Sequence, residues 1–231
     1  MFDGDETVAV SEAALPDGPA VGVHVELAAA IDGLYAAVAD VPRPASVHFG
    51  DPTVPLRGLP AAALAGYAAK ALTTIGDADA LRAVVPRLLE ICIVDDDPDW
   101  PDVEAVVGKF GYDGPGNDRP WWTWPETEQA AIRHVLRAWW RSTLSGDVDD
   151  HRTDSVLCAI GCCEPPAAFD WYLDEWLRPG QPLALDHLVR FVDRNASLSH
   201  TGRLWNSFWT TRTGPARTNC ARVIAWLAQF R

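Results

Sequence analysis

The chain has 231 residues, of which 48% are hydrophobic and 22% charged, and its formal net charge is −13. This composition is typical of a globular protein and excludes a disordered one. No apolar run reaches the roughly 20 residues of a membrane-spanning helix, and the acidic N-terminus lacks the basic region of a signal peptide, so we expect no membrane association. The five cysteines are too sparse for a disulfide scaffold, which predicts reduced thiols and a cytoplasmic location.

The charge is unevenly distributed along the chain. Residues 1–58 hold nine acids and two bases, residues 59–119 hold eleven and five, and residues 120–231 hold twelve of each. After Asp193 the only charged residues apart from histidine are arginines. We expect this arginine-rich tail to pack beside the acidic half of its own chain. We expect no nucleic-acid binding, because a protein with this net charge repels a polyanion.

The first half of the chain reads as helices joined by loops. Residues 1–20 have little apolar pattern and are predicted to be a loose arm before a single helical domain, 21–231. Gly76 is expected to end one helix, Asp77 to N-cap the next, and Pro86 to kink that helix. Helices are predicted at 23–40, 59–76, 77–94 and 101–110, with a proline-rich connector at 41–58 and a glycine-rich loop at 111–120.

The stretch DDDPD at 95–99 matches the DDxxD pattern that chelates magnesium in some enzymes. Such a site needs Asp95 and Asp99 on one helical face. Pro98 lies between them and disfavours helical geometry at the residue before it. We therefore interpret the stretch as an acidic loop, expect no cofactor there, and take Asp95, Asp96 and Asp97 as a candidate interaction surface.

The second half begins with the tryptophan-rich stretch WWTW at 121–124. Thr123 and Glu126 have the spacing of a capping box, which predicts a long helix from there to about residue 144. Trp124 is expected to be buried where the loop enters this helix, whereas Trp121 and Trp122 are candidates for an exposed interaction surface. Further helices are predicted at 153–162, 166–178, 183–194, 199–210 and 215–230.

The elements together predict an all-α fold. No convincing two-residue alternation of apolar side chains indicates a strand. Successive helices with short links favour an irregular bundle of antiparallel helix hairpins. An α-solenoid is the alternative, although the sequence has no fixed repeat period.

Two sets of side chains are candidates for chemistry. Lysine occurs only twice, beside seventeen arginines, and Lys70 lies close to polar residues at a predicted helix end. The resulting candidate polar site consists of Lys70, Thr73, Thr74, Asp77, Arg87, Glu90 and Lys109. Cys158, Cys162 and Cys163 are weak metal candidates, because their spacing is not that of a structural zinc site and small buried cysteines explain it more simply.

Three blocks of sequence resemble a widespread family of uncharacterised bacterial proteins. The blocks are YAAKALTTIGDADALRAVVPRLLEI (67–91), GKFGY (108–112) and TWPETEQAAIRHVLRAWW (123–140). The resemblance implies that Lys70, Thr73, Thr74, Gly76, Asp77, Pro86, Arg87, Glu90, Lys109, Trp124 and Pro125 belong to a shared structural frame. It implies no activity.

Three functions from different classes follow as hypotheses. The first is a helical protein-interaction module, an adaptor or an antitoxin, whose acidic half faces a basic protein partner; no cofactor is expected. The second is an enzyme that acts on a small molecule at the polar residues between Lys70 and Asp77. The third is a metal or redox sensor that uses the three clustered cysteines. The charge asymmetry and the lack of a catalytic motif favour the first.

Overall fold

The structure is a computed structural model that describes residues 19–43, 47, 53–94, 100–112, 119–211 and 214–230. Most of the predicted N-terminal arm and the aspartates of DDDPD lie outside these ranges. The helices are α1 (Pro19–Ala37), α2 (Ala61–Lys70), α3 (Ala78–Val94), α4 (Val103–Val107), α5 (Glu126–Ser145), α6 (Asp150–Cys163), α7 (Pro166–Trp176), α8 (Pro182–Arg194), α9 (Leu198–Thr201), α10 (Phe208–Thr211) and α11 (Pro215–Leu227). No β-strand occurs within these ranges, so the all-α prediction is confirmed.

Helix α6 lies at the centre of the bundle. Its residues 156–163 are all buried, and it contacts α4, α5, α8, α10 and α11. Helix α1 packs along α5. A helix surrounded in this way, by elements distant in sequence, belongs to a bundle, because a solenoid repeat contacts only its neighbours.

The segment after α2 departs from the predicted helix 59–76. The helix ends at Lys70, whose carbonyl accepts hydrogen bonds from the N–H groups of Thr73, Thr74 and Ile75. The chain then turns through Leu72, which has a positive φ of 61°. Gly76 has a φ of 70° and completes this turn rather than stopping a helix.

The predicted capping box at the start of α5 is wrong. The helix begins at Glu126, and the N-cap position is occupied by Pro125, which has no side-chain donor or acceptor. The hydroxyl of Thr123 instead donates to the carbonyl of Pro120, within a 3₁₀ turn over Trp121–Thr123. By contrast, the predicted N-cap of α3 is confirmed, because Asp77 Oδ1 accepts a 2.9 Å bond from the N–H of Ala80.

Two other predictions concern helix α3 and the segment 199–210. Helix α3 contains Pro86 in its interior, and the kink expected there stays a prediction. The predicted helix 199–210 is instead two short helices, α9 and α10, because Gly202 leaves α9 in a left-handed conformation with φ 64°.

An arginine stripe on α5 is covered by aromatic and acidic side chains. Arg133 lies over the ring of Trp121 at 5.1 Å, and Arg137 over that of Trp171 at 4.6 Å. Arg133 Nε donates to the buried Glu164 at 3.1 Å. This layer joins α5 to α6 and α7, and one turn further on Arg141 donates to Glu26 of α1 at 2.7 Å.

Candidate functional site

The candidate polar site predicted around Lys70 does not converge in the structure. Lys70, Thr73 and Thr74 lie exposed in the turn that follows α2. Asp77 is engaged as the N-cap of α3. None of these four side chains lines the cavities described below.

Lys109 is buried, with 5% of its surface exposed. Its Nζ donates to the carbonyls of Ala68 and Ala69, both at 2.6 Å. These carbonyls lie in the last turn of α2, where helical partners are missing. Lys109 therefore closes the end of that helix, and it is not a group presented to a ligand.

Arg87 and Glu90 belong to a network between α1 and α3. Glu90 accepts hydrogen bonds from Tyr35 Oη at 2.7 Å, Arg57 Nε at 2.8 Å and Arg87 Nη1 at 2.9 Å. Arg57 also donates to Asp32 at 2.6 Å. Burial, followed by the bond to Glu90, raises the pKa of Tyr35 well above its usual value. These groups satisfy one another and tie the two helices together.

The clustered cysteines are core residues. Cys158, Cys162 and Cys163 are all buried, and burial raises the pKa of the Cys158 and Cys163 thiols. Reactive thiols require the opposite shift. Within the described ranges, no three His, Cys, Asp or Glu side chains are arranged to hold a metal ion. The sensor hypothesis therefore gains no support from this part of the chain.

The predicted interaction surface is only partly described. Asp95, Asp96 and Asp97 lie outside the described residues, so their role stays a prediction. The prediction for Trp121 is wrong, because its ring is fully buried and its indole N–H donates to the Cys163 carbonyl at 2.8 Å. Trp122 is partly exposed, and Trp124 is buried as expected.

A cleft lies elsewhere, between α1, the end of α3, the end of α5 and the start of α6. It consists of three cavities: A, of about 480 Å³; B, of about 330 Å³; and C, of about 380 Å³. Arg152 lines all three. Trp139 is shared by A and C, His24 and Ser142 by B and C, and Asp149 by A and B. We call the three cavities together the Arg152 cleft.

The backbone N–H of Arg152 is bound at the start of α6, whereas its guanidinium can still donate hydrogen bonds to a ligand. It lies in the first turn of α6, where the N-cap Asp149 accepts hydrogen bonds from the N–H groups of His151 and Arg152. Among the described residues, the guanidinium makes one weak hydrogen bond, of 3.5 Å, to the carbonyl of Ile93. A guanidinium has five N–H donors, so Arg152 retains most of them for a ligand.

The wall of the cleft carries two further polar groups. Trp139 is 2% exposed, and its indole N–H has no hydrogen-bond partner among the described residues. Ser142 Oγ lies 3.3 Å from His24 Nδ1, and both side chains are in contact with solvent. A serine beside a histidine is the start of a nucleophilic pair. No acid accepts a hydrogen bond from the ring of His24 within the described part, so we assign no catalysis to this pair.

His187 forms the floor of cavity B. It is 1% exposed, and its Nδ1 lies 2.8 Å from the hydroxyl of Thr153. Its Nε2 lies 3.3 Å from the carbonyl of Gly146. Burial lowers the pKa of His187, so the neutral ring is favoured. The ring joins α8 to α6 and to the end of α5.

The formal charge of the cleft is negative. Its lining residues include five acids and two arginines: Glu90, Asp102, Glu104, Asp147, Asp149, Arg57 and Arg152. Of the acids, Asp102, Asp147 and Asp149 are exposed. One of the arginines, Arg57, is already paired with Asp32 and Glu90.

Most of these positions could not be predicted from the sequence. His24, Trp139 and Arg152 are far apart in the chain, and no spacing rule relates them. The acids Asp147, Asp149 and Asp150 at the start of α6 were the available sign of a helix start with an N-cap. It does not indicate which helix ends meet there.

Comparison of the chain with protein-family models, curated proteins and solved structures yields no match. The resemblance to uncharacterised bacterial proteins therefore remains a prediction from the sequence blocks. Within the described ranges, no helix has both the length and the apolar character needed to cross a membrane.

Proposed function

We propose that the protein is a helical interaction module that binds a basic segment of a protein partner in the Arg152 cleft. The observation that carries this proposal is the set of three exposed acids, Asp102, Asp147 and Asp149, on the walls of a solvent-open cleft. A cleft lined by one sign of charge focuses the electrostatic field and attracts ligands of the opposite sign.

The arginine-rich tail contacts both halves of the chain. Two of its arginines pair with acids of the C-terminal half: Arg222 with Asp170, and Arg194, more distantly at 3.9 Å, with Asp154. Asn206 of the tail donates to Glu104 of the acidic half at 2.7 Å. The proposal therefore assigns the attraction of a partner to the exposed acids of the cleft.

The proposal also includes the nature of the partner and the location of the protein. A partner that is a basic protein, and not a nucleic acid, agrees with the net charge of −13. A cytoplasmic location agrees with the buried, unpaired thiols. The alternative of an enzyme at Lys70–Asp77 has less support, because those side chains cap helices or lie on an exposed turn.

The test is the binding of a fluorescent lysine-rich peptide, measured by anisotropy. Asp102→Asn with Asp147→Asn should weaken binding about three- to tenfold, since each exposed charge pair contributes up to about 1 kcal/mol. The matched control is Asp40→Asn with Asp174→Asn, which removes the same charge from exposed positions outside cavities A, B and C.

Salt provides the second measurement of this test. Wild-type affinity should fall steeply between about 50 and 500 mM salt, as the Debye length decreases from roughly 14 to 4 Å. Equal weakening by both double variants would show that only net charge matters. That result, or an affinity that does not respond to salt, would contradict binding in the cleft.

A further inference from the structure

The position of Arg152 is unexpected in a cleft that attracts cations. Arg152 lines all three cavities, and its guanidinium has one weak hydrogen bond among the described residues. Against a ligand that carries positive charge alone, this arginine would oppose binding by repulsion. Arg152 would instead favour binding if the ligand placed an anionic group beside its guanidinium.

We propose that the Arg152 cleft binds the C-terminal end of a basic polypeptide, with the terminal carboxylate on Arg152. This inference rests on the proposed function and specifies which part of the partner enters the cleft. A carboxylate matches the planar guanidinium in two parallel N–H···O hydrogen bonds. Such bonds are among the stronger polar contacts that proteins form.

Trp139 lines cavities A and C together with Arg152. Its side chain is 2% exposed, so its ring is an apolar part of the wall beside this arginine. An apolar wall lowers the local dielectric and strengthens a charge-assisted hydrogen bond between the guanidinium and a carboxylate.

The surroundings of Arg152 suit the basic residues that would precede the chain end. Asp102 lines cavity A, and Asp147 lines cavity B, so acids lie in two of the cavities that Arg152 lines. Leu27 and Ile31 line cavity C, where the aliphatic stems of lysine or arginine side chains can pack. Positive side chains beside a negative terminus are thus complementary to this arrangement of charges.

The experiment compares two lysine-rich peptides of identical sequence, one ending in a free carboxylate and one in an amide. Wild-type protein should bind the free acid at least about tenfold more tightly, as charge-assisted hydrogen bonds require. In Arg152→Gln the preference should fall below about twofold. Arg217→Gln is the matched control, an exposed arginine outside the cleft, and it should retain the preference.

A third peptide is amidated and carries one internal glutamate. It distinguishes recognition of a chain end from recognition of any carboxylate. It should bind like the amide, and binding as tight as that of the free acid would overturn the assignment to a chain end. If wild-type protein binds the amidated peptide as tightly as the free acid, the whole inference is overturned. If the affinity for the amidated peptide is still lowered by Asp102→Asn with Asp147→Asn, the proposed function remains supported. If no peptide binds, the proposed function itself fails. Thermal unfolding of Arg152→Gln checks that the variant is folded.

Discussion

The ammonium group of Lys109 donates hydrogen bonds to two backbone carbonyls at the end of α2. Those carbonyls lack helical donors because the turn at Leu72 takes the chain out of the helix. Helix ends of this kind depend on tertiary contacts, which local sequence does not specify.

The three tryptophans of WWTW differ in burial, and this difference predicts their contributions to stability. Trp121 and Trp124 are buried, and each donates its indole N–H to a backbone carbonyl. Their replacement by alanine should lower the free energy of unfolding by about 3–5 kcal/mol each. Trp122 is partly exposed, and Trp122→Ala should cost clearly less. Urea denaturation of the three variants measures this order, and a Trp122→Ala variant as unstable as Trp121→Ala would contradict it.

At the scale of elements, the close approach of α6 and α10 depends on Gly161. A Cβ at this position would overlap the ring of the buried Trp209. Gly161→Ala should therefore destabilise the protein by about 1–3 kcal/mol, because the ring and its helix must move. Gly33→Ala is the matched control: it lies within α1 and its Cβ meets nothing within 4 Å. That variant should gain up to about 1 kcal/mol from helix propensity. Similar stabilities of the two variants in thermal unfolding would contradict this packing.

The helices themselves were largely predictable from sequence, whereas their ends and the cleft were not. Apolar periodicity located α1, α3, α5 and α8 because burial of one helix face determines that pattern. The predicted capping box at the start of α5 was wrong because Thr123 belongs to the preceding 3₁₀ turn and Pro125, which has no side-chain acceptor, occupies the N-cap position. The cleft depends on how α1 and α6 meet at the ends of α3 and α5, and no local rule relates His24 to Arg152.

For the whole molecule, the dependence of stability on pH contains contributions of opposite sign. Burial lowers the pKa of His187 and raises that of Glu164. The folded state disfavours the charged form in both cases. On acidification, the protonation of His187 therefore opposes folding, whereas the protonation of Glu164 favours it. A comparison between variants is needed to observe either contribution.

The contribution of His187 should appear between pH 7.5 and 5.5. Its pKa in the unfolded chain is about 6.5, and its folded pKa is lower, so the unfolded state binds more protons in this window. The stability it provides is fully present above about pH 6.5 and decreases as the pH falls towards the folded pKa. His187→Gln removes this titration and leaves that of Glu164. The unfolding free energy of wild type minus that of His187→Gln, from urea denaturation at pH 7.5, 6.5 and 5.5, should therefore decrease with falling pH. A difference that stays constant over the three values would contradict the buried, neutral ring that joins α8 to α6.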